Sequence, residues 1–272
     1  MTKLLGDPEG LVSFQFRHAL AHCGDCRDYH AIWMYRRLSR TLSGIESTAC
    51  ILGLLLRRAV PAGGRVLIAG AADAGLLDLV AGATQGLAPL IDVADRCPTP
   101  LAVCRRYAES NGLSIATHQV DFGAHMPPQR YDAILGDCVL QFVPHESHGD
   151  VLRRLRGVTN PNGALVLIDR IRIKGYGESA QADRAADAVT TLAAQGVELP
   201  EDRAAFQLRL NRMLAAQRER LARCRVTDGL AAQVESAGFR IWDLPDDERE
   251  HVTVVPGGDS VRVNIIVASP RP

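Results

Sequence analysis

Between Arg65 and Leu77 the chain reads RVLIAGAADAGLL. Four consecutive apolar residues, Val66 to Ala69, run into Gly70, and beyond Gly75 the apolar positions fall at Leu76, Leu77, Leu79 and Val80. This pattern predicts a strand, a tight turn and a helix. A strand apolar on both faces belongs in a parallel sheet covered by helices. The alternation then recurs. The run from Pro89 to Ala94 ends on Asp95, and Cys97-Pro-Thr-Pro100 opens a helix that carries Leu101, Val103, Cys104 and Tyr107 on one face and closes at Asn111-Gly112. Ser114 to Val120, Tyr131 to Leu135 and Ala164 to Ile168 are predicted strands, with a helix over Val151 to Val158 and a turn at Pro161-Asn-Gly163. Strands separated by helices require right-handed crossovers and a parallel sheet. Asp95, Asp121, Asp137 and Asp169 then fall at its carboxyl edge, where such sheets bind ligands.

Helical spacing also precedes the first strand, through Phe14, Phe16, Ala19 and Leu20, then Ile32, Met34, Tyr35 and Leu38, then Ile45, Ala49, Ile51, Leu52, Leu55 and Leu56. Two or three helices are expected there, with Thr41 or Ser43 capping the last. A second helical stretch, rich in Ala and Arg, follows the fifth strand and divides near Gly196 to Pro200. The chain is thereby divided into an N-terminal helical cap (1–62), an α/β core (63–175), an inserted helical lid (176–226) and a C-terminal completion of the core (227–272). The added helices are expected above the carboxyl edge, closing a substrate cavity. Arg203, Arg209, Arg212, Arg218 and Arg220 read as an anion site or as a solvated helix face, the commoner outcome for such a run.

Composition narrows the partners. The 31 basic and 31 acidic residues cancel, unlike the balance of a nucleic-acid binder, and 5% aromatic content offers little stacking surface for single strands. No apolar run reaches bilayer-spanning length, and MTKLLGDPEG lacks a signal-peptide core. The expectation is a soluble cytoplasmic protein acting on a small molecule, without nucleic-acid or membrane partners. A homodimer is left open. Seven scattered cysteines fit reduced thiols.

Three features carry candidate chemistry. The small-residue turn at Gly70 lets a ligand approach backbone at the positive end of a helix. Asp95, roughly 20 residues on, stands where such folds hold a ribose by its hydroxyls. The third is His18, His22, Cys23, Cys26 and His30, a density of donors that could bind zinc. No second Cys-x-x-Cys occurs, so a complete site would need all four donors from one short stretch. The expectation is therefore no metal, with these side chains packed or lining a cleft beside Tyr29, Trp33, Tyr35 and Arg36.

The order of GAADAG after an apolar strand, DRCPTPLAVCRRYAE, VDFG, RYDAILGDCVLQFVP and PNGALVLIDR resembles the class I S-adenosylmethionine-dependent methyltransferases. VESAGFRIWDL and Val261 to Ala268 are similar to that family's last helix, sixth strand and antiparallel seventh strand. The resemblance implies a Rossmann-like seven-stranded, mostly parallel sheet with an antiparallel last strand, S-adenosyl-L-methionine as cofactor, and methyl transfer to a small molecule. Carried over by position, Ala69, Gly70 and Ala71 would approach the methionine moiety and Asp95 the ribose. Arg96 would flank the adenine, and Asp121 would face its amino group with Phe122 against the ring. Ile68 stands where the family often has an acidic residue, so Asp73 or Asp137 would serve the methionine amino group. Asp132 has a counterpart that is usually structural. The loop GDCVLQFVPHESH lies beside the transferable methyl in that family. It makes His145 the first candidate general base, followed by His148, with His30 reaching in from the N-terminal helices. Two alternatives stand: a nicotinamide-dependent oxidoreductase, since GAADAG is nearly GxGxxG, and a non-catalytic cofactor-binding subunit.

Overall fold

The computed structural model describes residues 8–39, 48–172, 179–223, 229–245, 250–254 and 260–271. Three helices, α1 (Pro8–His22), α2 (Arg27–Leu38) and α3 (Ala49–Ala59), precede the sheet. Then come β1 (Arg65–Ala69), α4 (Gly75–Ala83), β2 (Leu90–Asp95), α5 (Pro98–Ser110), β3 (Ile115–Gln119), β4 (Tyr131–Asp137), α6 (His148–Val158) and β5 (Thr159–Arg172). Two further helices, α7 (Ser179–Ala194) and α8 (Arg203–Arg223), lead to α9 (Leu230–Ser236), β6 (Phe239–Ile241), β7 (Glu250–Val254) and β8 (Ser260–Pro270). The cap candidates Thr41 and Ser43 lie outside the described residues. Among the described residues no helix is long and apolar enough to cross a membrane.

The strands run in the order β3-β2-β1-β4-β5-β8-β6. β1 to β5 are parallel, and β8 is antiparallel to both β5 and β6, so six strands share one direction and one opposes them. This is the mixed sheet expected, with two differences. β6 covers β8 only from Ala268 to Pro270, and β7 pairs with β8 from Ser260 to Asn264. The extra strand satisfies backbone groups that would otherwise form an open edge. The predicted turn at Pro161-Asn-Gly163 is instead part of β5, and its pairing with β4 shifts register between Tyr131 and Ala133. A Cβ on Gly163 would lie 2.8 Å from the Tyr131 carbonyl oxygen, so the glycine serves a close backbone approach rather than a reversal.

Period-two alternation sorts the sheet into two faces. Val66, Ile68, Val93, Leu135, Val166 and Ile168 join a core with α1 to α5, α7 and α8. Leu67, Ala69, Ala94, Ile134, Leu165 and Leu167 join a second core with α6 and α9. One buried charge crosses the strands. Asp92 of β2 accepts hydrogen bonds from the Arg65 guanidinium at 3.2 Å and the Tyr131 hydroxyl at 2.9 Å, and lies 3.0 Å from His118 Nε2. Burial, with Asp92 beside it, pushes the Tyr131 hydroxyl above the usual tyrosine range. The partners come from β1, β3 and β4, so Asp92→Ala leaves polar groups of three strands unanswered. It should lower unfolding free energy by about 3 kcal/mol in urea denaturation; a loss under about 1 kcal/mol would show the network to be dispensable.

Candidate functional site

The site grows from the turn after β1. Gly70 has φ of +80°, the region that favours glycine, and its N–H donates to the Ala94 carbonyl at 2.8 Å. The next N–H, of Ala71, donates to Asp95 Oδ2 at 3.0 Å, while the Cys97 N–H donates to Oδ1 at 2.7 Å. The tip of β2 is thereby locked to the turn, with Ala69 buried beneath as the last residue of β1. Each oxygen of Asp95 accepts one backbone donor and keeps acceptor capacity for another. Burial raises Asp95 above the ordinary carboxylate range, opposed by those two N–H groups and by His30 and Arg96.

Strand order sets the neighbours along this edge. Asp121, beyond β3, is exposed and its Oδ1 accepts the Gly123 N–H at 2.8 Å. Phe122 is buried in the core beneath α6 rather than displayed at the edge. Arg96 is exposed beside Asp95, its carbonyl accepting from Gln119. On the other side Asp137, half-buried, ends β4 and is followed by Cys138 at φ of +54°, a left-handed conformation rare for a non-glycine residue. Val139 packs back over the edge: a Cβ on Gly70 would lie 3.0 Å from its Cγ2, and one on Gly136 2.9 Å from its Cγ1.

Polar struts fix α1 and α2 to the turn. The Arg37 guanidinium of α2 donates from Nε to Asp73 Oδ2 at 2.7 Å and from Nη2 to Oδ1 at 3.1 Å, and Asp73 also accepts the Gly75 N–H at 2.7 Å. Asp73 is therefore spent on holding the cap and starting α4, a correction to its expected role at a methionine amino group. Gln15 of α1, fully buried, donates to the carbonyls of His30 at 2.8 Å and Ala72 at 3.0 Å. From α8, Arg209 pairs with Asp28 and Glu201 and lies over the Phe16 ring. Its place in the arginine run thus serves packing. Arg203 and Arg212 are exposed, and the side chains of Arg218 and Arg220 lie outside the described residues. At the edge itself, Tyr29 meets Trp33 at 4.9 Å and Phe142 edge-on at 5.4 Å. Gln141 donates to Asp169 at 2.7 Å, and Trp33 Nε1 is enclosed without an acceptor among the described residues.

Neither a protein-family model nor a curated protein matches the sequence. Solved structures do match the fold. The S-adenosylmethionine-dependent methyltransferase SibL, in its apo form, aligns with a TM-score of 0.50 at 18% identity over 95% of this chain and 62% of its own. Coclaurine N-methyltransferase bound to N-methylheliamine and SAH gives 0.51 at 11% identity over 82% and 71%. The fold is that of the class I methyltransferases. The pyocyanin biosynthetic protein PhzM shares it, with a TM-score of 0.52 at 15% identity over 94% of this chain, which spans only 62% of the length of PhzM. Within the methyltransferase fold, β8 lies antiparallel between β5 and β6, whereas the dinucleotide-binding order 3-2-1-4-5-6 is parallel throughout.

The three candidate bases take other places in this methyltransferase fold. His148 is fully buried and its Nε2 lies 2.9 Å from the Leu140 carbonyl and 3.0 Å from that of Val143, so its ring bolts the loop after β4 to α6. His145 is exposed and stands 3.3 Å from Gln233 on α9, on the sheet face opposite α1 and α2. His30 is buried among sulfurs, its Nδ1 3.5 Å from Cys23 Sγ and 3.4 Å from Cys97 Sγ. Hydrogen bonds shared with Cys23 and Cys97 hold the Cys26 thiol well below its usual range. Against the effect of burial, the Cys23 and Cys26 sulfurs lift His30 to about 9. Sequence reasoning missed Cys97, Arg37 and Gln15. Their only local signals were an N-cap position, one arginine of a pair, and a polar residue among apolar helix positions.

The cap contact makes a sharp prediction. A Cβ on Gly75, the first residue of α4, would lie 2.6 Å from Arg37 Nη2, the end of a side chain that Asp73 holds in place. Gly75→Ala should therefore lower stability by about 1–3 kcal/mol, the usual result of overpacking. In an Arg37→Ala background the same change should be neutral or stabilising. Urea unfolding of the four proteins reads the cycle, and additive effects would separate the two residues.

Proposed function

We propose that the chain binds S-adenosylmethionine along the carboxyl edge from Gly70 to Asp121 and transfers its methyl group to a small molecule held beneath α2 and α8. The observation that carries this reading is Asp95, fixed by two backbone N–H groups with one acceptor position kept on each oxygen. Two vicinal ribose hydroxyls match that capacity. The left-handed Gly70 brings backbone to the same edge, and the donor set therefore fits the cofactor. Arg96 and Asp121 flank the place of the adenine.

When bound, the cofactor supplies a sulfonium methyl open to in-line displacement. The protein's part is to orient the acceptor and exclude water. Tyr29, Trp33 and Phe142 form an aromatic wall for a flat acceptor, and the enclosed Trp33 N–H is a donor that such an acceptor can answer. Gln15, Arg37 and Asp73 keep that wall in register with the turn. His148 is occupied and His145 lies on the far face, so transfer rests on positioning rather than on a histidine base.

Charge-assisted bonds from ribose hydroxyls are worth about 1.5–3 kcal/mol each, so Asp95→Ala should weaken S-adenosylmethionine binding about tenfold or more in calorimetry. Unchanged affinity would remove Asp95 from the site, and tighter binding of a nicotinamide dinucleotide would replace the reading. The pH dependence has a definite sign. Ribose binding needs the ionised carboxylate, and burial raises the Asp95 pKa. Affinity should thus hold at neutral pH and begin to fall on acidification above the ordinary aspartate value of about 3.9.

A second expectation concerns the loop after β4. His145→Ala should leave release of S-adenosylhomocysteine within roughly threefold of the parent across a panel of acceptors, whereas loss of a general base costs about 100-fold or more. A loss of that larger size would restore His145 to the chemistry.

A further inference from the structure

We infer that Cys23, Cys26, His30 and Cys97 form a structural zinc site that clamps the α1–α2 hairpin onto the start of α5. Their donor atoms all lie within 4.8 Å of one another. Cys97 Sγ is 3.2 Å from Cys23 Sγ and 3.6 Å from Cys26 Sγ, and His30 Nδ1 is 3.5 Å and 3.4 Å from the sulfurs of Cys23 and Cys97. Tetrahedral zinc with Zn–S of about 2.3 Å and Zn–N of about 2.0–2.1 Å spaces two sulfurs about 3.8 Å apart, and a sulfur and a nitrogen about 3.6 Å apart. The four donors already sit near the corners of that figure. Three sulfurs and one imidazole are soft and borderline ligands of the kind zinc selects, and four protein donors leave no open position. The site is structural rather than catalytic. An iron–sulfur cubane would need its ligand sulfurs spread around a cluster, wider than this group allows.

The local structure presents these donors without strain. Cys23-Gly-Asp-Cys26 is the turn between α1 and α2, closed by the Arg27 N–H on the Gly24 carbonyl. His30 follows Cys26 by one helical turn, so the two share a face of α2. Cys26 and Cys97 occupy the N-cap positions of α2 and α5, and neither makes a side-chain cap bond. Both helices therefore direct their positive ends at the sulfurs, which favours thiolates. An outer layer is present as well. Buried Thr99 places Oγ1 3.1 Å from Cys23 Sγ and 3.0 Å from His18 Nδ1, an arrangement that orients a ligand sulfur. This replaces the sequence expectation of a metal-free cluster, which counted donors from one stretch; the fourth arrives 71 positions beyond Cys26.

Cys97 donates its N–H to Asp95, so zinc would brace the carboxylate proposed for ribose while pinning the cap above it. The zinc site does not depend on that functional reading, and its test needs no substrate. Protein purified without chelator should carry about one zinc per chain by elemental analysis. Exchange into Co2+ should give the strong visible bands of a tetrahedral ion together with thiolate-to-cobalt charge transfer. Cys26→Ser, at a half-exposed position, and Cys97→Ser should each lower zinc affinity roughly tenfold or more, and chelation of the parent should lower its melting temperature. If Cys97→Ser fails to fold, Cys26→Ser and the cobalt spectrum of the parent still decide the matter. Protein with all four side chains intact and its thiols free that neither carries nor takes up zinc or cobalt would overturn the inference. So would a Cys23–Cys97 disulfide found by peptide mapping, or metal retained at full affinity in both variants.

Discussion

One half-buried carboxylate joins the turn after β1 to the junction of β2 and α5, 24 residues further along the chain. Asp95 takes the N–H of Ala71 from the turn after β1 and the N–H of Cys97 from the start of α5, and so fixes where the first two crossovers leave the sheet. A carboxylate in this position resists burial, and its raised pKa records the unfavourable desolvation. The turn tolerates that penalty because the two donors are rigid backbone groups, already oriented before any ligand arrives. Pre-orientation of this kind lowers the ordering that any ligand at this edge would have to impose.

The cap depends on the same economy of fixed polar groups. Apolar packing supplies the bulk of the contact between the N-terminal helices and the sheet, as the shared core with Phe16, Ile32 and Tyr35 shows. Apolar contact is not directional, however, and would allow α2 to slide. Gln15 on two carbonyls, Arg37 on Asp73 and Arg209 on Asp28 define one register. A side chain at Gly75 would push the Arg37 guanidinium out of this register.

The sheet was legible because its signal is local. The apolar run Val66 to Ala69 announces a strand buried on both faces, as does Leu90 to Ala94 although Asp92 interrupts it, and the acidic tips follow from chain direction. β7 was passed over although Val252-Thr253-Val254 are β-branched, since what gives so short a run its place is the part of β8 that β6 leaves uncovered. The turn expected at Pro161-Asn-Gly163 failed for a similar reason: turn residues also suit a strand whose neighbour's carbonyl comes too close for a side chain. At the sheet edge, Gly70 and Asp95 could be singled out because one follows β1 and the other ends β2. The surroundings of His145 and His148 were not legible, because loop position says nothing of which sheet face a ring turns to. Cys97 and His30 meet only because the α1–α2 hairpin packs against the start of α5, a relation no spacing in the sequence encodes.

Arg209 has a mechanical meaning beyond its ion pairs. It grips Asp28 at the start of α2 and Glu201 ahead of α8, and lies on Phe16 of α1, while Tyr35 packs edge-on against Phe206 at 5.1 Å beside it. Three helices from opposite ends of the chain are thus fastened at one point. To swing α8 away from α1 and α2 would strip its guanidinium from the Asp28 carboxylate and from the Phe16 ring in a single movement. The cover over this side of the sheet is therefore one fastened unit of α1, α2 and α8 rather than three separate flaps.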